Sequence, residues 1–259
     1  MRTFFQHYKI LVIALVIVLI LSVWYTAGMV KSVNRYVGAF NETYSVKEDS
    51  VGKQVNMYRV PGYHELLKQR GLLSSQVRLA QNDSIGLFLN LSDSVAQLMI
   101  KGLAVRDIPL QKIGFPSVFK RTTQEALYEW LSEPVRVNTL KSTIDKEPLN
   151  VVQAPKDTND FIPTATPDTS IHEPVFFVLD SDRDLRLYFY QTERDGADRK
   201  AALSFEWADR WEEMKKNLSA IVKFEVPEYI PTLRIGITRE DAEVLYRALP
   251  ENGRIVITY

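Results

Sequence analysis

The sequence predicts an α+β protein: a mainly antiparallel β domain with a few short helices, behind one N-terminal transmembrane helix. Three observations predict this fold class. An uncharged apolar run occupies Ile10–Val30, short alternating runs separated by turn residues lie within residues 76–114, and residues 122–132 and 204–218 show the 3.6-residue period of amphipathic helices. With 259 residues, 46% of them apolar, the chain is long enough to bury a core of one or two domains.

The run Ile10–Val30 predicts a membrane anchor. A helix needs roughly 20 apolar residues to cross a bilayer, and Trp24 and Tyr25 are residue types that favour the membrane interface. A cleaved signal peptide has a shorter apolar region, of about 7–15 residues, so we favour an uncleaved anchor. The short tail before the run contains no acidic residue. We therefore expect the tail in the cytoplasm and residues 31–259 on the periplasmic side of the cytoplasmic membrane.

The chain is predicted to have four consecutive segments. They are a cytoplasmic tail at 1–9, a transmembrane anchor at 10–30, a helical juxtamembrane stalk at 31–75 and an extracytoplasmic domain at 76–259. The domain contains a polar insertion rich in proline at about 141–174, which is predicted to form an exposed loop.

The stalk contains an apolar stripe at helical spacing, formed by Val33, Tyr36, Val37 and Phe40. Such a stripe is typical either of a spacer that packs on its own chain or of a seam through which two copies oligomerise. After it, Tyr63–Gln69 is predicted to be a short helix that ends at Gly71.

The domain itself is predicted to begin with a three-stranded meander and to end with a short helix and a strand. The meander strands are Ser84–Asn90, Val95–Ile100 and Leu103–Leu110, and two later strands are Val175–Leu179 and Leu185–Gln191. Helices are predicted at Thr122–Ser132 and at Ser204–Leu218, where the stripe Trp207, Trp211, Met214 and Leu218 is expected to face the core. Tyr229–Ile237 is extended, Thr238 caps a helix that buries Ala242, Leu245, Tyr246 and Leu249, and Arg254–Tyr259 is the last strand.

Composition excludes several classes of chemistry. Lys plus Arg and Asp plus Glu are both 32, so no net charge attracts nucleic acid. The chain has no cysteine, which excludes disulfides, thiolate nucleophiles and cysteine metal ligands. Its three histidines form no metal-binding spacing, and no phosphate-binding glycine loop is present, so we expect neither a cofactor nor a metal. Asp180, Asp182 and Asp184 are predicted to form a solvated hairpin turn, because the glycine and distal glutamate of a calcium loop are missing.

Two stretches together resemble the L,D-transpeptidase family of bacterial cell-wall enzymes. The first is the opening meander, from Ser84 through the Ser92-Asp93-Ser94 turn to Gly102, together with Val105. The second is Ile237–Pro250 followed by Gly253 and Ile255-Val256-Ile257, which is similar to the family's closing helix and strand. The resemblance implies a shared fold, an extracytoplasmic location and contact with peptidoglycan.

The resemblance also identifies what this chain lacks. In that family a Ser-x-Gly-Cys-x-Arg segment precedes the closing helix, and its cysteine is acylated with the help of an upstream histidine. Counting back from Glu240 places the nucleophile position near Arg234, within Pro231–Gly236, and His172 is too far upstream to match the family's histidine. Arginine stays protonated in proteins and is neither nucleophile nor base. The chain is therefore predicted not to be a cysteine L,D-transpeptidase.

The prediction is a single-pass cell-envelope protein whose transpeptidase-like domain, a pseudoenzyme, binds or scaffolds at peptidoglycan or with a wall-synthesis partner. Arg234 and Thr232 are the candidate binding residues, with no catalytic residue assigned. Its expected partners are the lipid bilayer and either peptidoglycan or another envelope protein. Two alternatives remain open: an envelope hydrolase that uses paired carboxylates, which would need two of them about 5–9.5 Å apart in a cleft, and a membrane-complex assembly protein that acts through its stalk and transmembrane helix.

Overall fold

The computed structural model describes residues 2–44, 62–146, 173–193, 195–223 and 225–259. Most of the predicted insertion, residues 147–172, and residues 45–61 of the predicted stalk lie outside the described residues. The helices are α1 (Arg2–Tyr44), α2 (Tyr63–Ala80), α3 (Gln124–Leu131), α4 (Gly196–Val222) and α5 (Arg239–Ala248), with a 3₁₀ turn at Ser117–Lys120. The strands are β1 (Gly86–Asn90), β2 (Val95–Ile100), β3 (Leu103–Pro109), β4 (Lys112–Gly114), β5 (Val135–Ser142), β6 (Phe176–Ser181), β7 (Arg186–Gln191), β8 (Thr232–Ile237) and β9 (Arg254–Thr258).

Helix α1 contains the predicted anchor. Within the described part of the chain, it is the helix that is long and apolar enough to cross a membrane, with a mean hydropathy of 2.5 over its most apolar window. The apolar side chains of that window that the structure describes, such as Leu15 and Ile20, are exposed. A helix whose apolar side chains are exposed in this way is compatible with a lipid environment.

The chain divides into two units, which interleave along the sequence. The first comprises the described residues of Met1–Ser75, Phe115–Glu133 and Glu206–Thr232. The second comprises Gln76–Gly114, the described residues of Pro134–Phe205, and Leu233–Tyr259.

The first unit is built around the part of α1 that follows the apolar run. Phe40 is buried, and its ring centroid lies 5.8 Å from that of Trp130 on α3. Asn41 accepts a hydrogen bond from the Thr123 backbone N–H at 3.1 Å, and the Thr123 side chain caps α3. Tyr36 lies edge-on to Tyr229, with 5.6 Å between the ring centroids. Two members of the predicted stalk stripe, Tyr36 and Phe40, therefore pack on their own chain.

The second unit contains a nine-stranded, mostly antiparallel sheet in the order β3-β2-β1-β9-β5-β6-β7-β8-β4. Strands β1 and β9 run parallel, with Leu87 opposite Ile255. The predicted meander is present as β1, β2 and β3, and the fold class is α+β as predicted. Helix α5 buries Ala242, Leu245 and Tyr246 as expected, with the Tyr246 ring 5.6 Å from that of Phe177 on β6.

The structure corrects two local predictions and adds two strands. Helix α2 does not end at Gly71 but continues to Ala80. A Cβ at Gly71 would lie 3.1 Å from the Tyr128 carbonyl oxygen, so this glycine serves close packing rather than helix termination. Strands β4 and β5 were not predicted, and β5 includes Lys141 and Ser142 of the predicted insertion.

The prediction that Trp207, Trp211, Met214 and Leu218 of α4 face the core is wrong. Trp207 is 68% exposed and Trp211 is 42% exposed. The spacing correctly identified residues that share one side of a helix, but helical periodicity does not specify which side faces the rest of the protein.

The cap of α5 provides a test of the closing segment. The Thr238 hydroxyl accepts from the Asp241 backbone N–H at 3.2 Å and donates to the Asp241 carboxylate at 2.8 Å. We expect Thr238→Ala to lower the free energy of unfolding by about 1 kcal/mol, measured by chemical denaturation of the full chain in detergent. Thr238→Ser keeps the hydroxyl and should stay within about 0.5 kcal/mol of the parent; equal losses in both variants would contradict the role of the cap.

Candidate functional site

The predicted binding residues lie on β8. Thr232 and Arg234 are both half-buried, and they are two residues apart, so their side chains leave the strand on the same side. Leu233 and Ile235, on the opposite side, are fully buried. The Thr232 hydroxyl donates to the Ile230 carbonyl at 3.5 Å, which is the limit for a hydrogen bond. Of the two residues, Arg234 therefore has the more clearly defined surroundings.

Arg234 lies on an aromatic surface. Its guanidinium carbon is 5.1 Å from the ring centroid of Tyr188 on β7, within the range of a cation–π contact. The Tyr188 ring is 5.9 Å from that of Tyr190 and 6.2 Å from that of Phe205 on α4. We call Tyr188, Tyr190 and Phe205 the aromatic platform. Tyr188 is only 3% exposed, so its ring is held in place by the surrounding protein. The guanidinium of Arg234 packs against this fixed ring, which limits the orientations of the guanidinium.

Gly236 allows the platform to approach β8 closely. A Cβ at this position would lie 2.9 Å from Cζ of Tyr190 and 2.8 Å from Cγ2 of Thr192. Thr192 is itself tied to β8, because the Ile237 carbonyl accepts from its backbone N–H at 2.9 Å. The absence of a side chain at Gly236 therefore leaves the space that the Tyr190 ring occupies against β8.

The site offers binding chemistry rather than nucleophilic chemistry. A guanidinium donates hydrogen bonds along its edge and accepts none, and it remains charged. His64 is the histidine whose side chain the structure describes. It lies in the first unit, with Nδ1 3.4 Å from Glu125. His172 lies outside the described residues.

A buried ionic cluster that sequence reasoning missed joins three segments of the second unit. The Gln191 side chain, fully buried at the end of β7, donates to Asp198 at 2.8 Å and accepts from the Val175 backbone N–H at 2.8 Å. Arg239, the first residue of α5, forms an ion pair with Asp198 and donates to Gln191 at 3.3 Å. No local pattern connects residues so far apart in sequence, so the sequence carried no signal for this cluster.

A second ion cluster holds α5 to β3. Arg106 lies 2.9 Å from Asp241 and 3.2 Å from Glu240. The hydrogen bonds to Asp241 and Glu240 raise the pKa of Arg106 above its ordinary value. The acidic pair of the closing helix therefore has a structural partner on the neighbouring meander.

Partly buried carboxylates in the second unit are paired with arginines. Asp180 accepts from Arg186 at 2.6 Å, in addition to the contacts of Asp198 and Asp241. Asp182 accepts from the Arg136 backbone N–H at 2.9 Å, so the aspartate turn is held by protein contacts. Among the described residues, no three His, Cys, Asp or Glu side chains are grouped so as to hold a metal.

Lys146 and Tyr246 form a further contact beside α5. The Lys146 ammonium donates to the Leu249 carbonyl at 2.5 Å and lies 5.8 Å from the Tyr246 ring centroid. Burial lowers the pKa of Lys146. Burial also raises the pKa of Tyr246, partly offset by a hydrogen bond with Ser142. Both shifts favour the uncharged forms, as expected for groups withdrawn from water.

No family model, no curated protein and no solved structure matches this chain.

Gly236→Ala is expected to disturb the platform. The added methyl group would overlap Tyr190 and Thr192, and overpacking of this kind costs about 1–3 kcal/mol of unfolding free energy. Thermal or chemical denaturation measures the loss. Gly196→Ala is the matched control in the same unit, because a Cβ there meets nothing within 4 Å. A destabilisation as large in the control would show that the glycine contact with Tyr190 is not the cause.

The shift at Tyr246 predicts a change of stability with pH. Because the folded chain holds the Tyr246 proton more tightly than the unfolded chain, the stabilisation is complete below about pH 10. It is lost as the pH rises through the higher pKa of the folded state. Denaturation at several pH values between 8 and 11 should therefore show the parent losing stability relative to Tyr246→Phe above pH 10. A constant difference over this range would contradict the shift.

Proposed function

We propose that this chain is a membrane-anchored protein of the bacterial cell envelope whose transpeptidase-like domain binds carboxylate groups of wall peptides without catalysing their transfer. The observation that carries the proposal is Arg234. Near the position where the resemblance would require a nucleophile, the chain has a guanidinium whose carbon lies 5.1 Å from the Tyr188 ring centroid.

The order of elements supports the resemblance to L,D-transpeptidases. The first matching stretch forms the β1–β2 hairpin and the start of β3, and the second forms α5 and β9. These two stretches meet in the sheet, because β9 pairs with β1. Arg234, near which the resemblance would place the nucleophile, lies on β8, the strand that precedes α5.

The chemistry of Arg234 supports a carboxylate ligand. A guanidinium binds a carboxylate through two parallel N–H···O bonds along its edge, whereas stacking on Tyr188 uses its face. The two contacts are therefore compatible, and stacking reduces the orientations that a ligand would have to select. Wall stem peptides carry several carboxylates, which makes them the ligand class that fits both the residue and the proposed location.

The proposed location rests on α1. An apolar helix long enough to span a bilayer would hold the rest of the chain beside one membrane surface. We propose the periplasmic surface, because residues 1–9, before the apolar run, include Arg2 and Lys9 and no acidic residue, which favours their retention in the cytoplasm. The wall polymer lies on that side.

The hydrolase alternative is less well supported. It requires two carboxylates free to act as acid and base in a cleft. Asp180, Asp198 and Asp241 are instead neutralised by arginines.

Binding of wall peptides by Arg234 is tested by co-sedimentation of the solubilised full chain with purified peptidoglycan sacculi. We expect Arg234→Ala to reduce the bound fraction, by about tenfold if one charge-assisted contact of 1.5 kcal/mol is lost. Arg247→Ala is the matched control, since Arg247 is a partly exposed arginine of the same unit that pairs with Glu243 on its own helix. Arg234→Lys should restore binding only in part, because it keeps the charge but loses the planar fork.

The same preparation tests the absence of catalysis. Incubation with a carbapenem, which acylates transpeptidase nucleophiles, should leave the mass of the intact chain unchanged. A covalent adduct on any residue would contradict the non-catalytic proposal. Equal binding of sacculi by the parent, Arg234→Ala and Arg247→Ala would contradict the binding role of Arg234.

A further inference from the structure

Helix α4 exposes its most apolar side chains. Trp207, Trp211, Met214, Leu218 and Val222 are 68%, 42%, 38%, 49% and 66% exposed. All belong to the first unit, and we call them the α4 stripe. Their spacing places them on one side of the helix, and the rings of Trp207 and Trp211 stack at 6.0 Å. A continuous exposed patch that contains two tryptophans is uncommon on a protein surrounded by water and marks an interaction surface.

Part of α4 half-buries acidic side chains on one side while the α4 stripe is exposed, although Arg210, Glu212 and Lys216 elsewhere on the helix are exposed as well. Glu206, Asp209 and Glu213, which share another side of the helix, are half-buried. A helix on a water-facing surface buries its apolar side and exposes its charges. The arrangement in α4 therefore favours surroundings that are less polar than water on the side of the stripe.

The end of the α4 stripe is continuous with the predicted membrane anchor. A Cβ at Gly28 of α1 would lie 3.5 Å from Cδ1 of Ile221 and 3.9 Å from Cδ of Pro227. Gly28 belongs to the uncharged run Ile10–Val30. Ile221 follows Leu218 by three residues and Met214 by seven, so it extends the same side of α4. The C-terminal end of the apolar run of α1 therefore lies next to the C-terminal end of the apolar side of α4.

We propose that the α4 stripe lies in the interface of the bilayer that α1 crosses, at the boundary between headgroups and acyl chains. The inference rests on the proposed membrane anchoring and adds a second contact with lipid. From Trp207 to Val222 the stripe is about 22 Å long, enough to lie along the membrane surface. Interfacial helices carry Trp and Leu on the lipid side and cations at its edge.

The edge of the stripe has the chemistry of a membrane interface. The Lys215 ammonium lies 5.5 Å from the Trp211 ring centroid. A lysine beside an interfacial tryptophan keeps its stem on apolar surface while its charge reaches the phosphate layer. Tryptophan also prefers this layer, where its ring is shielded and its N–H remains hydrogen-bonded. These features favour lipid over the other possible occupant, a second copy of the chain.

The test is fluorescence quenching by brominated lipid. The full-length chain is reconstituted into vesicles of phosphatidylcholine and phosphatidylglycerol, with or without bromine on the acyl chains. The chain has four tryptophans, and Trp24 lies in the anchor itself, so Trp24→Phe removes that signal. The remaining signal then comes from Trp207, Trp211 and the buried Trp130. We expect brominated vesicles to quench most of the emission of Trp207 and Trp211.

Two further variants make the outcome decisive. In Trp24→Phe/Trp207→Phe/Trp211→Phe the emission of Trp130 should be unaffected by bromine, because Trp130 is 2% exposed in the core of the first unit. Equal fractional quenching of this variant and Trp24→Phe would overturn the assignment to the stripe. Trp207→Phe/Trp211→Phe keeps Trp24 and reports on the anchor alone. Quenching of Trp24 without quenching of Trp207 and Trp211 would overturn the interfacial position of the α4 stripe but not the membrane anchor. If neither Trp24 nor the two α4 tryptophans are quenched, the membrane anchoring is overturned as well.

A cysteine substitution separates lipid from a second copy. Because the chain has no cysteine, Leu218→Cys introduces one thiol in the middle of the α4 stripe. Lipid contact predicts that mild oxidation in vesicles gives monomers only. Efficient formation of a disulfide-linked dimer, together with unquenched Trp207 and Trp211, would assign the stripe to an interface between copies and overturn the proposal.

Discussion

The position of β9 in the middle of the sheet is the constraint on which the second unit depends. The last strand lies between β1 on one side and β5 on the other, so it joins the opening meander to the later strands. Ile255 is opposite Leu87 on β1 and opposite Val135 on β5, and all three side chains are at most 1% exposed. Gly86 permits this join, because a Cβ there would lie 2.4 Å from Leu79 and 3.2 Å from the Arg254 carbonyl oxygen. The sheet is therefore complete only once β9 is in place between β1 and β5.

Local pattern predicted the elements that depend on neighbouring residues. The meander strands follow from alternating runs and turn residues, and the Thr238 cap with its buried face follows from helical spacing. Strand β5 was missed although Val135 and Val137 are buried and Arg136 is exposed, because the alternation is short and leads into a polar segment that indicated a loop. The parallel pairing of β1 with β9 brings together residues from the two ends of the domain, which no local period encodes.

The same distinction applies to the candidate site. The place of Arg234 before the closing helix was predicted from the order of motifs along the chain. Tyr188 beneath it was not, because that contact depends on β7 and β8 being neighbours in the sheet. The cluster of Gln191, Asp198 and Arg239 likewise arises only when the end of β7 and the first turns of α4 and α5 converge. A tertiary contact between polar side chains leaves no periodic trace in sequence.

The return of the chain after α4 has a mechanical consequence. Ser32 donates to the Pro227 carbonyl at 2.5 Å, and Tyr36 contacts Tyr229, so this segment and α1 advance side by side in the same direction. Strand β8 begins shortly after Tyr229. Tension applied to the chain just after Tyr229 would therefore reach α1 through this segment. Because these two contacts lie one after the other along α1, a pull directed along the helix axis would load them in shear, so that both must yield together.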